Sequence, residues 1–216
     1  MENGDPPGVL HEIMDELSSR AGIKQRPIFH PWNRSLLSVT VKPNKMLFPL
    51  GRTPERENKV TWVVQLLQIS IGFVSLSKPI NTLDEARKLR ITVYPNSSMS
   101  SFLKSNGLAR LDLDTAPISA NKLAFGRVDA WYAPLPEALW TWKLQGRHQP
   151  LSIGEPIEQT QVWLAASKSF PQEIIQRYQK AMMELKKNGR HAQIIGKYFP
   201  GNSTNFLPYL KKSDQP

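Results

Sequence analysis

Apolar residues near the start of the chain recur with a helical period. Leu10, Ile13, Met14, Leu17 and Ala21 fall on one face, Glu12, Asp15, Glu16 and Ser19 elsewhere, which predicts an amphipathic helix entered from Pro6-Pro7-Gly8 and closed by Ala21-Gly22. A short extended stretch through Ile28 and Phe29 leads to a loop, Pro31-Trp32-Asn33-Arg34, and then to a buried element carrying Leu36, Leu37, Val39 and Val41. Met46-Leu47-Phe48 reads as a short buried strand. Val60 to Leu76 is rich in β-branched and aromatic residues and free of proline, so it holds at least one strand ending near Ser77-Lys78-Pro79.

From there the pattern alternates between the two periods. Asn81 or Thr82 caps a short helix through Leu83, Ala86 and Leu89, and Ile91 to Tyr94 is a strand. Asn96-Ser97-Ser98 opens a helix with Met99, Phe102 and Leu103 that stops at Asn106-Gly107, and Leu111 to Leu113 is a strand. A helix around Asn121 to Phe125 stops at Gly126, Val128 to Ala133 is a strand, and Pro134 to Gln145 is a helix ended by Gly146. This rhythm predicts a mainly parallel sheet, whose ligands bind beyond the carboxyl ends of the strands; Ser97 and Ser98 stand at that position, at a helix start. Beyond the Gly154-Glu155-Pro156 turn, Val162 to Ala166 is a buried strand. The clearest helix runs from Pro171 to Asn188-Gly189, with Ile174, Ile175, Tyr178, Ala181, Met182 and Leu185 on one face. A last short helix carries Ile194, Ile195, Tyr198 and Phe199, and from Gly201 the composition is that of a tail.

Composition narrows the classes. At 216 residues, 40% hydrophobic and 21% charged, the chain is long enough for one large or two small domains with a proper core. No run approaches the length of a membrane-spanning helix, and no secretory leader is expected in Met1-Glu2-Asn3-Gly4-Asp5. The chain has no cysteine, which removes disulfides, thiolate metal sites and a thiol nucleophile. A formal charge of +10 raises nucleic acid as a partner, but the basic clusters are short, such as Lys186-Lys187 and Lys211-Lys212, and there is no aromatic-interleaved basic motif. A generally basic surface accounts for the charge better. His11, His30, His148 and His191 show no metal-ligand spacing, and neither a nucleophile elbow nor a glycine-rich nucleotide loop is present, so no cofactor or metal is expected.

One stretch carries candidate chemistry. In Arg52-Thr53-Pro54-Glu55-Arg56, Thr53 can cap a helix, Pro54 suits its first position, and Glu55 complements the positive end of the dipole. Two guanidinium groups in that first turn, Arg52 and Arg56, add to the free N–H groups in favouring a carboxylate or phosphate. The alternative is a surface helix start with solvated arginines. Trp32, in its loop, has core packing as its ordinary role and ligand stacking as the second; Trp131, Tyr132, Trp140 and Trp142 form an aromatic-rich region of which Trp131 is the best candidate to face a ligand.

The order and spacing of several pieces resemble the periplasmic solute-binding proteins of the amino-acid type, the extracellular family 3 receptors of ABC importers. The pieces are the opening Glu2 to Gly8 and its helix to Ile23, Thr53-Pro54-Glu55-Arg56, Leu83-Asp84-Glu85-Ala86 ahead of the Ile91–Val93 strand, Gly126-Arg127-Val128-Asp129-Ala130, and Leu185 to Gly189 with Ile195 to Phe199. The resemblance implies a type II periplasmic-binding-protein-like α/β fold. Two α/β lobes are joined by two hinge crossings, near Ile71 to Leu76 and Glu158 to Ala165, and close over a ligand in the cleft. Lobe 1 would comprise 1–74 and 161–200, lobe 2 75–160, and 201–216 a C-terminal tail. By the same resemblance Arg56 clamps a ligand carboxylate, Thr53 is a neighbouring hydroxyl donor, Ser97 and Ser98 are donors from lobe 2, and Trp32 belongs to the cleft wall.

There are departures from the family. The aspartate that usually binds the ligand's ammonium is replaced by Pro134, with Glu137 a turn later; Arg52 adds a positive charge; and the family's first strand is missing ahead of Met1. The implied function is non-catalytic capture of a small carboxylate-bearing solute, amino-acid-like or an organic anion. It would take place in the periplasm, by a monomer serving an ABC importer permease, with no nucleic acid and no membrane insertion. Two other classes stay open: a sensory or degenerate module of the same fold, and a cleft enzyme such as a dehydratase, for which Asp129 and Glu137 are the acid–base candidates.

Overall fold

The computed structural model describes residues 8–24 and 27–198, so the opening Glu2 to Pro7, Phe199 and the predicted tail lie outside the described residues. In chain order the elements begin with α1 (Val9–Arg20), α2 (Trp32–Val41), β1 (Met46–Gly51), a single 3₁₀ turn (Pro54–Arg56), β2 (Thr61–Ser75), α3 (Leu83–Ala86), β3 (Ile91–Val93) and α4 (Ser98–Ser105). They continue with β4 (Leu111–Leu113), α5 (Ala116–Ala124), β5 (Ala130–Pro134), α6 (Leu135–Leu144), β6 (Ser152–Ile153), β7 (Glu158–Ala166), α7 (Gln172–Lys187) and α8 (Arg190–Tyr198). No described helix is long and apolar enough to cross a membrane. The fold is α/β and divides into two compact units, Ile69–Thr160 and the remainder on either side of it in sequence. Only β2 and β7 carry the chain across that division.

In the first unit α1 buries Ile13, Met14 and Leu17, the face its periodicity predicts. Gly22, at φ 64°, ends the helix: Ile23 N–H donates to the Ser18 carbonyl at 2.8 Å and Gly22 N–H to the Ser19 carbonyl at 3.0 Å, a closure that needs the left-handed conformation. Trp32 differs from expectation, since it opens α2 instead of lying in a loop. Pro31 fixes the entry, and Trp32, Leu36 and Val39 then share one helical face while Leu37 and Val41 point outward. That face packs on Leu47, Leu50, Val60 and Ala165. The strand order is β1-β7-β2, with β1 antiparallel to β7 through Met46↔Ala166 and Leu47↔Ala165 and an irregularity before Leu50↔Trp163.

In the second unit the order is β2-β5-β3-β4, with β6 beside the end of β2. The expected parallel sheet holds only for β3 with β4 and β5; β2 and β5 run antiparallel. Helical crossovers connect β3 to β4 and β4 to β5, which sets β3 parallel to both of its neighbours. Helix α5 begins five residues before the predicted Asn121, because Thr115-Ala116-Pro117 is a start signal that the short apolar run concealed. Phe73 and Tyr132, both fully buried, meet at 4.7 Å between ring centroids, with Ile91, Val93, Leu103 and Leu108 around them. Buried hydroxyls find each other: Thr92 and Ser119 hydrogen-bond at 2.8 Å. Gly154 is required by close approach, because a Cβ there would lie 1.9 Å from the Ile80 carbonyl oxygen.

The Tyr132 hydroxyl donates to Glu158 Oε1 at 2.5 Å. Burial pushes the Glu158 carboxyl above its ordinary 4.5, and the tyrosine hydrogen bond only partly opposes this. A carboxyl whose pKa is higher folded than unfolded takes up a proton on folding, so its contribution to stability is lost as pH rises through the window above 4.5. Glu158→Gln keeps an acceptor for Tyr132 and removes the ionisation. Melting temperatures measured from pH about 4 to about 7 should therefore show the variant gaining on the parent as pH rises; a constant difference across that range would remove Glu158 as the cause.

Candidate functional site

Strand β1 delivers the chain to the turn that the sequence singles out, and the turn is shorter than its cap residues imply. Thr53 is extended (φ −138°, ψ 155°) with no side-chain cap, and Pro54 stands at the first position as expected. The Arg56 N–H donates to the Thr53 carbonyl at 3.0 Å, the Glu57 N–H to Pro54 at 3.3 Å, and β2 begins at Thr61. Three residues of 3₁₀ helix align too few peptide dipoles to make an anion site, so the helix-end part of the sequence argument is corrected. The β-branched run that starts at Val60 takes the chain into β2 before a helix can propagate.

The two arginines of this turn have different fates. Arg52 Nε donates to Glu57 Oε2 at 2.9 Å, Nη2 makes a tight contact with Oε1, and the guanidinium lies 5.3 Å from the ring centroid of Trp62 and 4.9 Å from that of Trp163. The indoles stand edge to face at 5.9 Å. Glu57 raises the Arg52 pKa and is itself lowered by Arg52, so this charge is compensated within the protein. Arg56 is half-buried. Its Nη1 donates to the Gly51 carbonyl at 3.0 Å and its guanidinium lies 5.7 Å from the Trp32 ring centroid. Among the described residues no carboxylate lies within ion-pair distance of it. Burial pulls its pKa down against the weaker opposing charge of Glu55, although an arginine stays protonated at any working pH. Trp32 Nε1, buried with no hydrogen-bond partner, lies in the same cluster.

The structure thus brings together Arg56, Thr53, Trp32 and Arg52 in the first unit. The other predicted residues belong to the second unit. Ser97 caps α4 in a reciprocal box with Ser100: its Oγ accepts from Ser100 N–H at 3.1 Å and donates to the Tyr94 carbonyl at 2.7 Å, so its single proton is already engaged. Ser98 is half-buried at the first helical position, and its hydroxyl has no partner among the described residues. Trp131 is 2% exposed in β5, opposite Val74 and Thr92, which makes it an interior residue with no ring face open to solvent. Glu137 is exposed in the first turn of α6. Asp129 is committed to Arg90, accepting from its backbone N–H at 2.8 Å, from Nε at 3.1 Å and from Nη2 at 2.7 Å, and Arg90 holds its carboxyl below the usual range. The sequence reading missed Glu57, Trp62 and Trp163 around Arg52. Only the strand order that sets β7 beside β1 and β2 reveals the tryptophans, and no local spacing encodes it.

No protein-family model matches the chain, and no curated protein matches it. Solved structures do. A histidine kinase sensor domain with similarity to periplasmic binding proteins superposes with a TM-score of 0.81 at 15% identity, covering 89% of this chain and 86% of its own. A mutant of ArgBP from T. maritima gives 0.77 at 17% over 89% and 85%, and a putative L-cystine ABC transporter protein from Listeria monocytogenes gives 0.77 at 16% over 94% and 88%. The fold is the type II periplasmic-binding-protein fold. Within this fold, Arg56 has no carboxylate at ion-pair distance among the described residues while Arg52 is paired with Glu57, a distinction of side-chain environment that the fold alone does not make.

Replacing each arginine by methionine tests that distinction. Arg52→Met breaks a bidentate ion pair and two ring contacts and should lower the melting temperature of the free protein by about 1–3 °C. Arg56→Met exchanges an uncompensated, half-buried cation for an apolar chain of similar length and should leave the melting temperature within about 2 °C of the parent, or raise it. Equal losses in both variants would show that Arg56 is as fully satisfied as Arg52.

Proposed function

We propose that this protein is a non-catalytic solute-binding protein that captures a small carboxylate-bearing solute, amino-acid-like or an organic anion, through Arg56. The observation that carries the reading is the half-buried Arg56 guanidinium, positioned by Gly51 and Trp32 yet lacking a counter-ion among the described residues. Such a group keeps most of its N–H donors for a ligand, and its planar fork matches the two oxygens of a carboxylate. Thr53 adds a hydroxyl from the same turn, Trp32 supplies an apolar ring, and Ser98 is the hydroxyl donor of the second unit, Ser97 holding that helix start in shape. Arg52, fastened to Glu57, supports the turn and contributes long-range positive potential. The structural neighbours described as arginine-binding and as a cystine ABC transporter protein support an amino-acid-like solute, an importer permease as partner and a location outside the cytoplasmic membrane. With Pro134 where the family carries its ammonium-binding aspartate, the carboxylate end of the solute is the end recognised.

The test is a thermal-shift screen of amino acids, dicarboxylates and their amides. A true solute at a hundred times its dissociation constant stabilises the protein by about 2.7 kcal/mol. Arg56→Met should weaken binding by about 30-fold to a few thousand-fold, the range expected on truncating one partner of a buried charge pair. Amidation of the solute's carboxylate should do the same. An undiminished shift in Arg56→Met, or an amide that stabilises as well as its acid, would overturn the carboxylate clamp.

A further inference from the structure

Helix α5 turns part of its apolar surface outward. Its buried side carries Ser119, Ala120 and Leu123, whereas the side open to solvent carries Ile118, Asn121 and Phe125, the last 71% exposed. Positions three and four apart share a helix face, so Ile118 and Phe125 stand in one row with Asn121 between them. Helix α6 packs beside α5 and exposes Trp140 and Leu144, again four apart. The two outer faces adjoin. Gln145 Nε2 donates to the Pro117 carbonyl at 2.9 Å, which joins the positions next to Leu144 and Ile118, and Arg147 Nη2 donates to Asn121 Oδ1. Single exposed apolar residues are ordinary on a protein surface, but four large ones on two adjoining helices make a patch.

Cations are set among them. The Arg127 N–H donates to the Lys122 carbonyl at 2.9 Å, a helix closure that folds Arg127 back until its guanidinium lies 6.0 Å from the Phe125 ring centroid. The Arg147 guanidinium lies 5.8 Å from the same centroid and 5.1 Å from that of Trp142. Its Nε and Nη2 donate to the amide oxygens of Gln145 and Asn121, which leaves Nη1 open. Lys143 is exposed beside Leu144. Among the described residues no carboxylate lies within ion-pair distance of Arg127, Lys143 or Arg147, whereas Lys122 is closed by Asp112 and Asp114. Glu137 is the one carboxylate on either helix. A guanidinium laid on a ring keeps in-plane donors for an oxyanion.

We propose that this α5–α6 face docks onto an anionic lipid surface. Arg127, Lys143 and Arg147 meet headgroup phosphates while Phe125, Trp140, Ile118 and Leu144 reach the boundary of the acyl chains, so the chain rests on the bilayer without spanning it. Charge complementarity selects an anionic occupant, since three cations of this face lack a carboxylate partner. It also rejects a second copy of the chain, because a symmetric contact would set the same three cations against one another. Between an acidic protein and a bilayer the arrangement favours the bilayer. A protein partner needs a close-packed apolar centre, whereas a lipid surface accepts apolar tips that project singly among cations, with aromatic rings at headgroup level. The contact lies in the second unit and requires nothing of Arg56, so it stands or falls apart from solute capture.

The test is cosedimentation of the full chain with vesicles of phosphatidylcholine alone and of phosphatidylcholine mixed with about one-third phosphatidylglycerol, binding being expected only with the second. Each Lys or Arg near such a surface contributes about fivefold to partition, so Arg127→Gln with Lys143→Gln should weaken binding by about 25-fold. Phe125→Ser leaves the charge unchanged and should weaken it by about tenfold. Lys88→Gln with Lys104→Gln removes the same charge from exposed positions elsewhere in the second unit and should cost less than about threefold. Brominated acyl chains give a second reading: they should quench the fluorescence of the parent more than that of Trp140→Phe. Equal losses in the two charge variants, or full binding by Phe125→Ser, would reduce the effect to the adsorption of any basic protein and overturn the proposal. Absence of binding to the anionic vesicles would overturn it too, and polyglutamate captured through Phe125 in that case would assign the face to an acidic protein instead.

Discussion

A half-buried positive charge without an internal counter-ion is the constraint around which the first unit is arranged. Moving a guanidinium partly out of water costs free energy that a hydrogen bond to one carbonyl and a contact with one ring offset only in part. Arg56 is kept in that position by β1, which fixes the Gly51 carbonyl, by α2, which sets Trp32 against it, and by Pro54, which limits the turn between them. Several other described cations do have carboxylate partners, whereas Arg147, also half-buried, rests on Gln145, Asn121 and two aromatic rings. Arg52 has Glu57, Arg90 has Asp129, and Arg190 and Lys197 share Glu12 and Glu16. What sets Arg56 apart from Arg147 is that it has a single carbonyl as hydrogen-bond partner, so most of its donors stay open, which is the ground for the proposal that a ligand meets them.

The contrast between the two arginines also explains how much of the site was legible. Thr53-Pro54-Glu55-Arg56 announces a turn with a cation, and local spacing suffices to see it. The same spacing implies a helix, and the helix fails because the β-forming run from Val60 is longer and stronger than the four-residue start signal. What separates Arg52 from Arg56 is first Glu57, five positions on, which pairs with Arg52 alone, a choice that spacing does not reveal. The rest comes from Trp163, more than a hundred positions away, which β7 brings beside Trp62. The burial of Trp131 was hidden for a related reason. Position in a strand rich in tryptophan and tyrosine is equally compatible with a ligand wall and with a central strand, and only the neighbours β2 and β3 decide for burial.

Elements whose signal is carried by period and caps were readable. Helix α7 presents Ile175, Tyr178, Ala181, Met182 and Leu185 inward as its spacing requires, and α4 starts at its serine box and ends at Asn106-Gly107. What was not readable depends on which strands become neighbours. A strand–helix alternation implies parallel pairing, but β2 is one long strand of 15 residues that meets β5 head to tail, and β6 has only two residues and no periodicity at all. The glycine at 154 belongs with these: its turn was visible, whereas the reason for glycine there, the Ile80 carbonyl at van der Waals limit, is a contact between segments far apart in sequence.

Charge and shape act at different ranges in selecting a solute. A formal charge of +10 draws any small anion toward the surface, but at physiological salt that attraction fades within about 8 Å, and it treats chloride, phosphate and carboxylate alike. Discrimination therefore falls to groups in contact. A fork of N–H donors held by the Gly51 carbonyl and the Trp32 ring is fixed in one plane, so two coplanar oxygens satisfy it better than a sphere or a tetrahedron can. On the proposed reading, the arrangement that leaves Arg56 without a counter-ion in the free protein is the one that would make it selective, because an arginine already folded onto a glutamate, as Arg52 is, has no free fork to offer.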